Sequence, residues 1–203
     1  VTTTKKAAPP SERRAHLIRL AADLFAEKGF RATTVREIAD AAGILSGSLY
    51  HHFDSKESIG DEILRSFLDD VLSGYRAVSS STDAGDPRVA IERMVRSSTA
   101  ALSRHRAALT MLQNDWAYFS AQKRFAYLRT AMKEIEQTWI AQLERGVATG
   151  EFRSDLDARL VYRLLRDILW IPTSWKQARG RSWSTDEIVD GLLRLLFDGI
   201  NAR

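Results

Sequence analysis

Between Thr34 and Glu57 the chain reads TVREIADAAGILSGSLYHHFDSKE, and its chemically capable groups are donors suited to a polyanion. Gly47 and Ser48 are small, which lets a helix lie close in a DNA major groove. Tyr50, His51 and His52 can donate hydrogen bonds to phosphates. Lys56, just past Ser55, adds a positive charge beside a helix N-terminus, and Thr34 and Ser46 place hydroxyls at two helix starts. Contacts of this kind position a protein on a duplex rather than read its bases.

Those residues need two short helices to hold them. Thr34 stands three residues before Glu37, the spacing of a capping box that starts a helix. Val35, Ile38, Ala39 and Ala42 then recur on one apolar face, with Arg36, Glu37 and Asp40 toward water. Gly43 supplies a helix end that tolerates positive φ without the steric cost of a side chain. Ser46 is expected to cap the next helix, where Leu49 and Phe53 are i, i+4 anchors that leave Gly47, Ser48, Tyr50, His51 and His52 outside. Two helices joined by a glycine turn over about residues 34–53 have the layout of a helix-turn-helix. The same glycine and apolar positions would also serve a packing unit of a larger helical protein.

Composition narrows the classes. The 203 residues can form one or two domains, and their net charge of +4 is compatible with nucleic acid without requiring it. With no cysteine there is no disulfide framework and no thiolate zinc site. His16, His51, His52 and His105 show no metal-ligand clustering beyond an adjacent pair, which points in different directions on a helix, so no metal site is expected. There is no phosphate-binding glycine loop and no Glu-x-x-His pair, so no catalytic residue is assigned and an enzyme is not expected. VTTTKKAAPP has no apolar run, and no stretch approaches the roughly 20 apolar residues that span a bilayer. The expectation is a soluble, cytoplasmic chain with no membrane partner.

The remaining pattern is helical. Residues 1–10, with Lys5 and Lys6, read as a disordered basic arm. An apolar stripe through Leu17, Leu20, Ala21, Leu24 and Phe25 should stop at Gly29. From Ser55 a longer helix runs through Ile59, Ile63, Leu64, Phe67, Leu68, Val71, Leu72 and Tyr75 and breaks in SSSTDAGDP, where Asp86 and Pro87 read as an N-cap and first helical residue. Further helices are expected over about 86–103, 105–118, 121–149, 156–171 and 184–201. Gly150 should close the longest, Pro172 should break the next, and Ser184 with Glu187 repeats the capping-box spacing. The predicted fold is all-α: a three-helix DNA-binding module over 11–56, then a helical bundle for ligand binding and dimerisation over 57–203.

The set Phe25, Gly29, Phe30, Thr33, Thr34, Ile38, Ala39, Ala42, Gly43, Ser46, Gly47, Leu49, Tyr50, His52, Phe53, Lys56 and Glu57 resembles the TetR family of transcriptional repressors, and the likeness covers nearly the whole chain. NDWAYFS and RLLRDILWIPTSWK further resemble the KstR-type repressors of actinobacterial steroid (cholesterol) ring catabolism, most closely the second of the two kinds. The resemblance implies a homodimer whose last two helices form a four-helix interface, double-stranded operator DNA bound by paired helix-turn-helix units, and release when a small-molecule effector enters the C-terminal bundle. It implies no cofactor. In the KstR-type branch the effector is a coenzyme A thioester of a steroid-ring fragment.

In LDARLVYRLLRDILWI, Leu160, Val161, Leu164, Leu165, Ile168 and Leu169 form one aliphatic stripe, which is core or interface. Arg159, Tyr162, Arg166 and Trp170 fall on a different face, where guanidinium and indole at i, i+4 can stack. A cation beside a flat ring suits a ligand with a phosphate or carboxylate and an extended body. The same face also suits snorkelling arginines or a dimer rim. Trp116, Phe119, Phe125, Leu128 and Met132 are candidates to line a cavity, although rings and methionines at helical spacing make ordinary core equally well. Arg124 and Arg129 stand either at the mouth of such a cavity or in solvent.

The last helix carries more apolar surface than packing on one side requires, and Leu192, Leu195, Leu196 and Ile200 are the expected dimer contacts. Two-fold symmetry would pair the reading helices on a palindromic operator with half-site centres about 34 Å apart, or a multiple of that turn. The reading is a ligand-released DNA-binding repressor of lipid and steroid catabolic genes. An effector-independent architectural DNA-binding protein and a helical-bundle enzyme acting on acyl-CoA are the alternatives.

Overall fold

The structure, a computed structural model, describes residues 10–79, 85–170 and 183–200. The described segments are helical, with no β-strand among them: α1 Pro10–Lys28, α2 Val35–Ala41, α3 Ser46–Leu49, α4 Lys56–Ser79, α5 Pro87–Arg104, α6 Arg106–Ser120, a 3-10 turn Lys123–Phe125, α7 Tyr127–Ala148, α8 Ala158–Trp170 and α9 Thr185–Ile200. The expected basic arm and the break at Pro172 lie outside the described residues. Two compact units form, one from Val1–Ser66 with Arg106–Phe125 and one from Phe67–His105 with Ala126–Arg203. α6 packs on α1 and joins the first unit, so the two compact units are interleaved along the chain.

The first unit is built on rings. Phe25, Phe30, Phe119 and Phe125 are fully buried, and successive centroids stand 4.9, 4.8 and 4.8 Å apart in edge-on or tilted contacts. The helix expected over 121–149 is shorter for this reason. AQKRFA contains neither glycine nor proline, yet Phe125 turns into the ring cluster, and regular helix begins only at Tyr127. At 24 residues α4 is longer than the 22-residue α7, which reverses the order expected from the sequence. Asp115 interrupts α6 with φ −124° and ψ 20°. Beyond that interruption, the Tyr118 hydroxyl donates to Glu57 Oε1 at 2.7 Å.

In the second unit α5 packs on α7, α8 and α9, and α7 packs on α8. The local signals hold: Asp86 Oδ1 accepts the Val89 N–H at 3.0 Å, and Ser184 and Glu187 exchange N–H bonds at 2.7 and 3.1 Å. The apolar stripe of α8 divides. Leu165 and Leu169 turn inward with Ala158 and Tyr162, whereas Leu160 and Leu164 are each 56% exposed. On α9 the buried face is Val189, Leu192, Leu193, Leu196, Phe197 and Ile200, and Leu195 is 71% exposed. Of the four expected dimer residues, Leu192, Leu196 and Ile200 are therefore used within the chain's own core. The i, i+3, i+4 repeat that buries them turns Leu195 outward.

The turn after α7 fixes its partner closely. Phe152 N–H donates to Gly146 O at 2.9 Å and Arg153 N–H to Ile200 O at 2.9 Å. A Cβ on Gly146 would lie 2.1 Å from the buried Phe152 ring. Gly146→Ala is expected to lower the unfolding free energy by about 1–3 kcal/mol through overpacking, measured by urea denaturation. Unchanged stability would mean that Phe152 is not seated against α7.

Candidate functional site

The expected reading motif is present with its geometry resolved. Glu37 N–H donates to Thr34 Oγ1 at 3.2 Å and Thr34 N–H to Glu37 Oε2 at 2.8 Å. Lys28 Nζ donates to Glu37 Oε1 at 2.7 Å. The lysine bond first, then the two Thr34 bonds, hold the Glu37 carboxyl at about 2. The Thr34 hydroxyl is engaged in this cap, accepting the Glu37 N–H and donating to the carboxylate at 2.9 Å. Gly43, at φ 64°, turns the chain into α3.

α3 starts differently from the expectation. Leu45, not Ser46, holds the N-cap position, and no side chain caps the helix. Leu49 and Phe53 are buried as expected, with the Arg14 guanidinium 4.5 Å over the Phe53 ring and paired with Glu62. This leaves Gly47, Tyr50 and His51 exposed and Ser46, Ser48 and His52 half-buried. Leu45, which the sequence reading passed over, is 80% exposed at the front of the helix. Its one sequence signal was a large apolar residue where a polar cap is usual.

Lys56 is placed as an internal tie. Its ammonium donates to Phe30 O and Thr33 O, each at 2.8 Å, reaches Arg31 O at 3.4 Å, and stands 4.6 Å over the Phe30 ring. Burial pushes its pKa below the usual lysine value. The charge that the sequence offered to phosphate is engaged inside the unit, because the chain from Phe30 to Thr33 presents unpaired carbonyls just past α1.

A cavity of about 50 Å³ lies within the second unit. Its walls are Phe67, Val71 and Tyr75 of α4, Ser98 and Leu102 of α5, Met132, Ile135 and Trp139 of α7, and Tyr162, Arg166, Leu169 and Trp170 of α8. That volume has room for a few waters, whereas small-molecule pockets run to about 300–1,000 Å³. A larger ligand must widen it. Ser98 Oγ donates to Met94 O at 2.7 Å, so its only proton is committed. Tyr75 must therefore donate to Ser98 Oγ at 2.7 Å while accepting Trp139 Nε1–H at 2.9 Å. Burial raises the Tyr75 phenol and pushes Tyr162 up to about 12, against the opposing charge of Arg166. No described residue hydrogen-bonds the Tyr162 hydroxyl. It is an un-ionised donor in an apolar wall. Arg166 donates from Nε and Nη2 to Asp167 Oδ1 at 2.9 and 2.7 Å, on the open side of α8.

Among the residues expected to bind a ligand, Met132, Tyr162, Arg166 and Trp170 meet at this cavity. Phe119 and Phe125 belong to the ring core of the first unit, where Trp116 and Arg124 are exposed. Leu128 is fully buried at the start of α7 and Arg129 is exposed, and neither lines the cavity. Tyr75 and Ser98 were missed because α4 and α5 show only an amphipathic pattern in sequence. Among the described residues no group of His, Asp or Glu could hold a metal ion, and no helix is long and apolar enough to cross a membrane.

Residues 17–63 match the bacterial regulatory proteins of the tetR family, and residues 84–200 match the tetracyclin repressor-like C-terminal domain. The chain is 46% identical over 190 residues to the HTH-type transcriptional repressor KstR2 of Rhodococcus jostii, covering 94% of this chain and 92% of that one. Its structure is similar to that of the ketosteroid transcriptional regulator KstR2 of Mycobacterium tuberculosis, with a TM-score of 0.87 and 39% identity over 97% and 99% of the two chains. AibR, in complex with isovaleryl coenzyme A and operator DNA, shares the fold at a TM-score of 0.76 and 20% identity, over 91% and 98%. With both of its parts matched and this identity over nearly its full length, the chain belongs to the TetR family of bacterial regulatory proteins.

Proposed function

We propose that this chain is a ligand-released transcriptional repressor that binds a palindromic operator as a homodimer. Its effector is a coenzyme A thioester of a steroid-ring degradation intermediate, and its targets are lipid and steroid catabolic genes. The carrying observation is the cavity wall itself. Tyr162, Arg166 and Trp170 of α8 share that wall with Phe67, Val71 and Tyr75 of α4, and the earlier residues of α4 belong to the reading unit. The names of the relatives, a KstR2 repressor and a ketosteroid regulator, support the effector class.

The chemistry of the walls fits such a ligand. Phe67, Trp139 and Trp170 offer ring faces to an apolar body, and Tyr162 offers a neutral O–H to a ring oxygen. Arg166 can take a phosphate or carboxylate by exchanging Asp167, an exposed partner that holds it weakly. A ligand that prefers the widened cavity shifts the chain away from the state that fits DNA. Coupling of about 1–3 kcal/mol weakens operator binding roughly 5 to 150-fold.

For the dimer, Leu160, Leu164 and Leu195 are exposed aliphatic side chains on α8 and α9. Each contributes about 1.5–3 kcal/mol when a second copy covers it, before the cost of association. A two-fold axis through that face pairs two reading helices.

Two substitutions separate the outputs. Gly47 has open space where a Cβ would sit, so Gly47→Leu is expected to leave thermal unfolding unchanged while lowering affinity for operator DNA about tenfold or more by blocking the groove approach. Unchanged affinity in fluorescence anisotropy would move the reading face elsewhere. Arg166→Met is expected to keep operator affinity and abolish release by steroid-ring acyl-CoA thioesters in the same assay. Loss of DNA binding instead would make Arg166 structural.

A further inference from the structure

Leu45 is more exposed than any other large hydrophobic residue described in the chain. The other exposed aliphatic residues, Leu160, Leu164 and Leu195, lie on the α8 and α9 surface assigned above to a second copy. Leu45 belongs to the first unit and has no such cover. It also stands at the N-cap of α3 with φ −69° and ψ 143°, backbone in which a serine or asparagine side chain would accept an N–H of the first turn. Leucine accepts nothing. An exposed apolar side chain and a helix without a side-chain cap thus fall on one residue.

The position supplies the missing partner. In a helix-turn-helix the N-terminal end of the second helix meets the base edges. Gly47 beside it is exposed with nothing near its missing Cβ. Between Arg36 and Lys56 there is no arginine or lysine, so the commonest contact to guanine is not available along α3. The apolar mark in the major groove is the C5-methyl group of thymine.

We propose that Leu45 reads thymine, packing its side chain on the C5-methyl group of one thymine in each half-site. This rests on the DNA reading proposed above and names a base that it leaves open. The methyl contact offsets the lost cap only when DNA is bound, so the leucine favours the complex at the expense of the free helix.

The test uses duplexes enriched from a random pool by the wild-type protein. Selected thymines are replaced by deoxyuridine, one symmetric pair at a time, which removes only the methyl groups. Wild type, Leu45→Ala and Leu45→Ser are then compared by fluorescence anisotropy. One symmetric pair is expected at which uracil weakens wild-type binding about fourfold per half-site and weakens neither variant. Both variants should bind the thymine duplex about as wild type binds the uracil one. Leu45→Ser should also unfold at a higher temperature than wild type, because serine caps α3. Thymine-to-uracil effects that are the same in all three proteins, or variants that bind the thymine duplex with wild-type affinity, would overturn the proposal. If the wild-type protein enriches no sequence, DNA reading fails and the role of Leu45 fails with it.

Discussion

A helix of four residues closes almost none of its own hydrogen bonds, and α3 is such a helix, without a capping side chain. Its direction must come from outside. Leu49 and Phe53 anchor it in the core, Arg14 lies over Phe53, and Glu62 of α4 holds Arg14. Lys56 binds the carbonyls that follow α1 to the first turn of α4. The Thr34 and Glu37 cap, with Lys28 on the same carboxylate, fixes α2 beside it. These contacts flank an element that has no side-chain cap of its own.

α4 contributes residues to both compact units. Its first turns carry Lys56, Glu57 and Glu62, while Phe67, Val71 and Tyr75 further along line the cavity. At about 50 Å³ the cavity is small beside the pockets that hold small molecules. Tyr75 is tied to both Ser98 and Trp139. Those bonds give that wall of the cavity a definite geometry.

Legibility in the sequence followed the range of each interaction. Thr34 with Glu37, Asp86 at the start of α5 and Ser184 with Glu187 act within one turn and are found where their spacing placed them, whereas the expected Ser46 cap is not. The break before Tyr127 has no local marker, since it arises from Phe125 packing against a ring six residues back. Lys56 looked free because the carbonyls that hold it lie 23 and 26 residues earlier. Among the aromatic candidates, residue type gave no distinction between Phe119, in a ring core, and Trp170, in the cavity wall. α8 showed the right residues, but the turn of the helix that buries Tyr162 and exposes Leu164 depends on its neighbours α5 and α7. The cavity was half visible because α8 carries its charged and aromatic residues together, whereas Tyr75 and Ser98 meet across 23 residues.

If effector and operator act on one two-state chain, each must weaken the other by the same factor. The direct measurement is calorimetric titration of a steroid-ring acyl-CoA thioester into the free protein and into its operator complex, alongside operator affinity with and without that thioester. The expected result is weaker thioester binding to the complex, by a factor equal to the loss of operator affinity that the thioester causes. Equal thioester affinity for free and DNA-bound protein would contradict a ligand-released repressor.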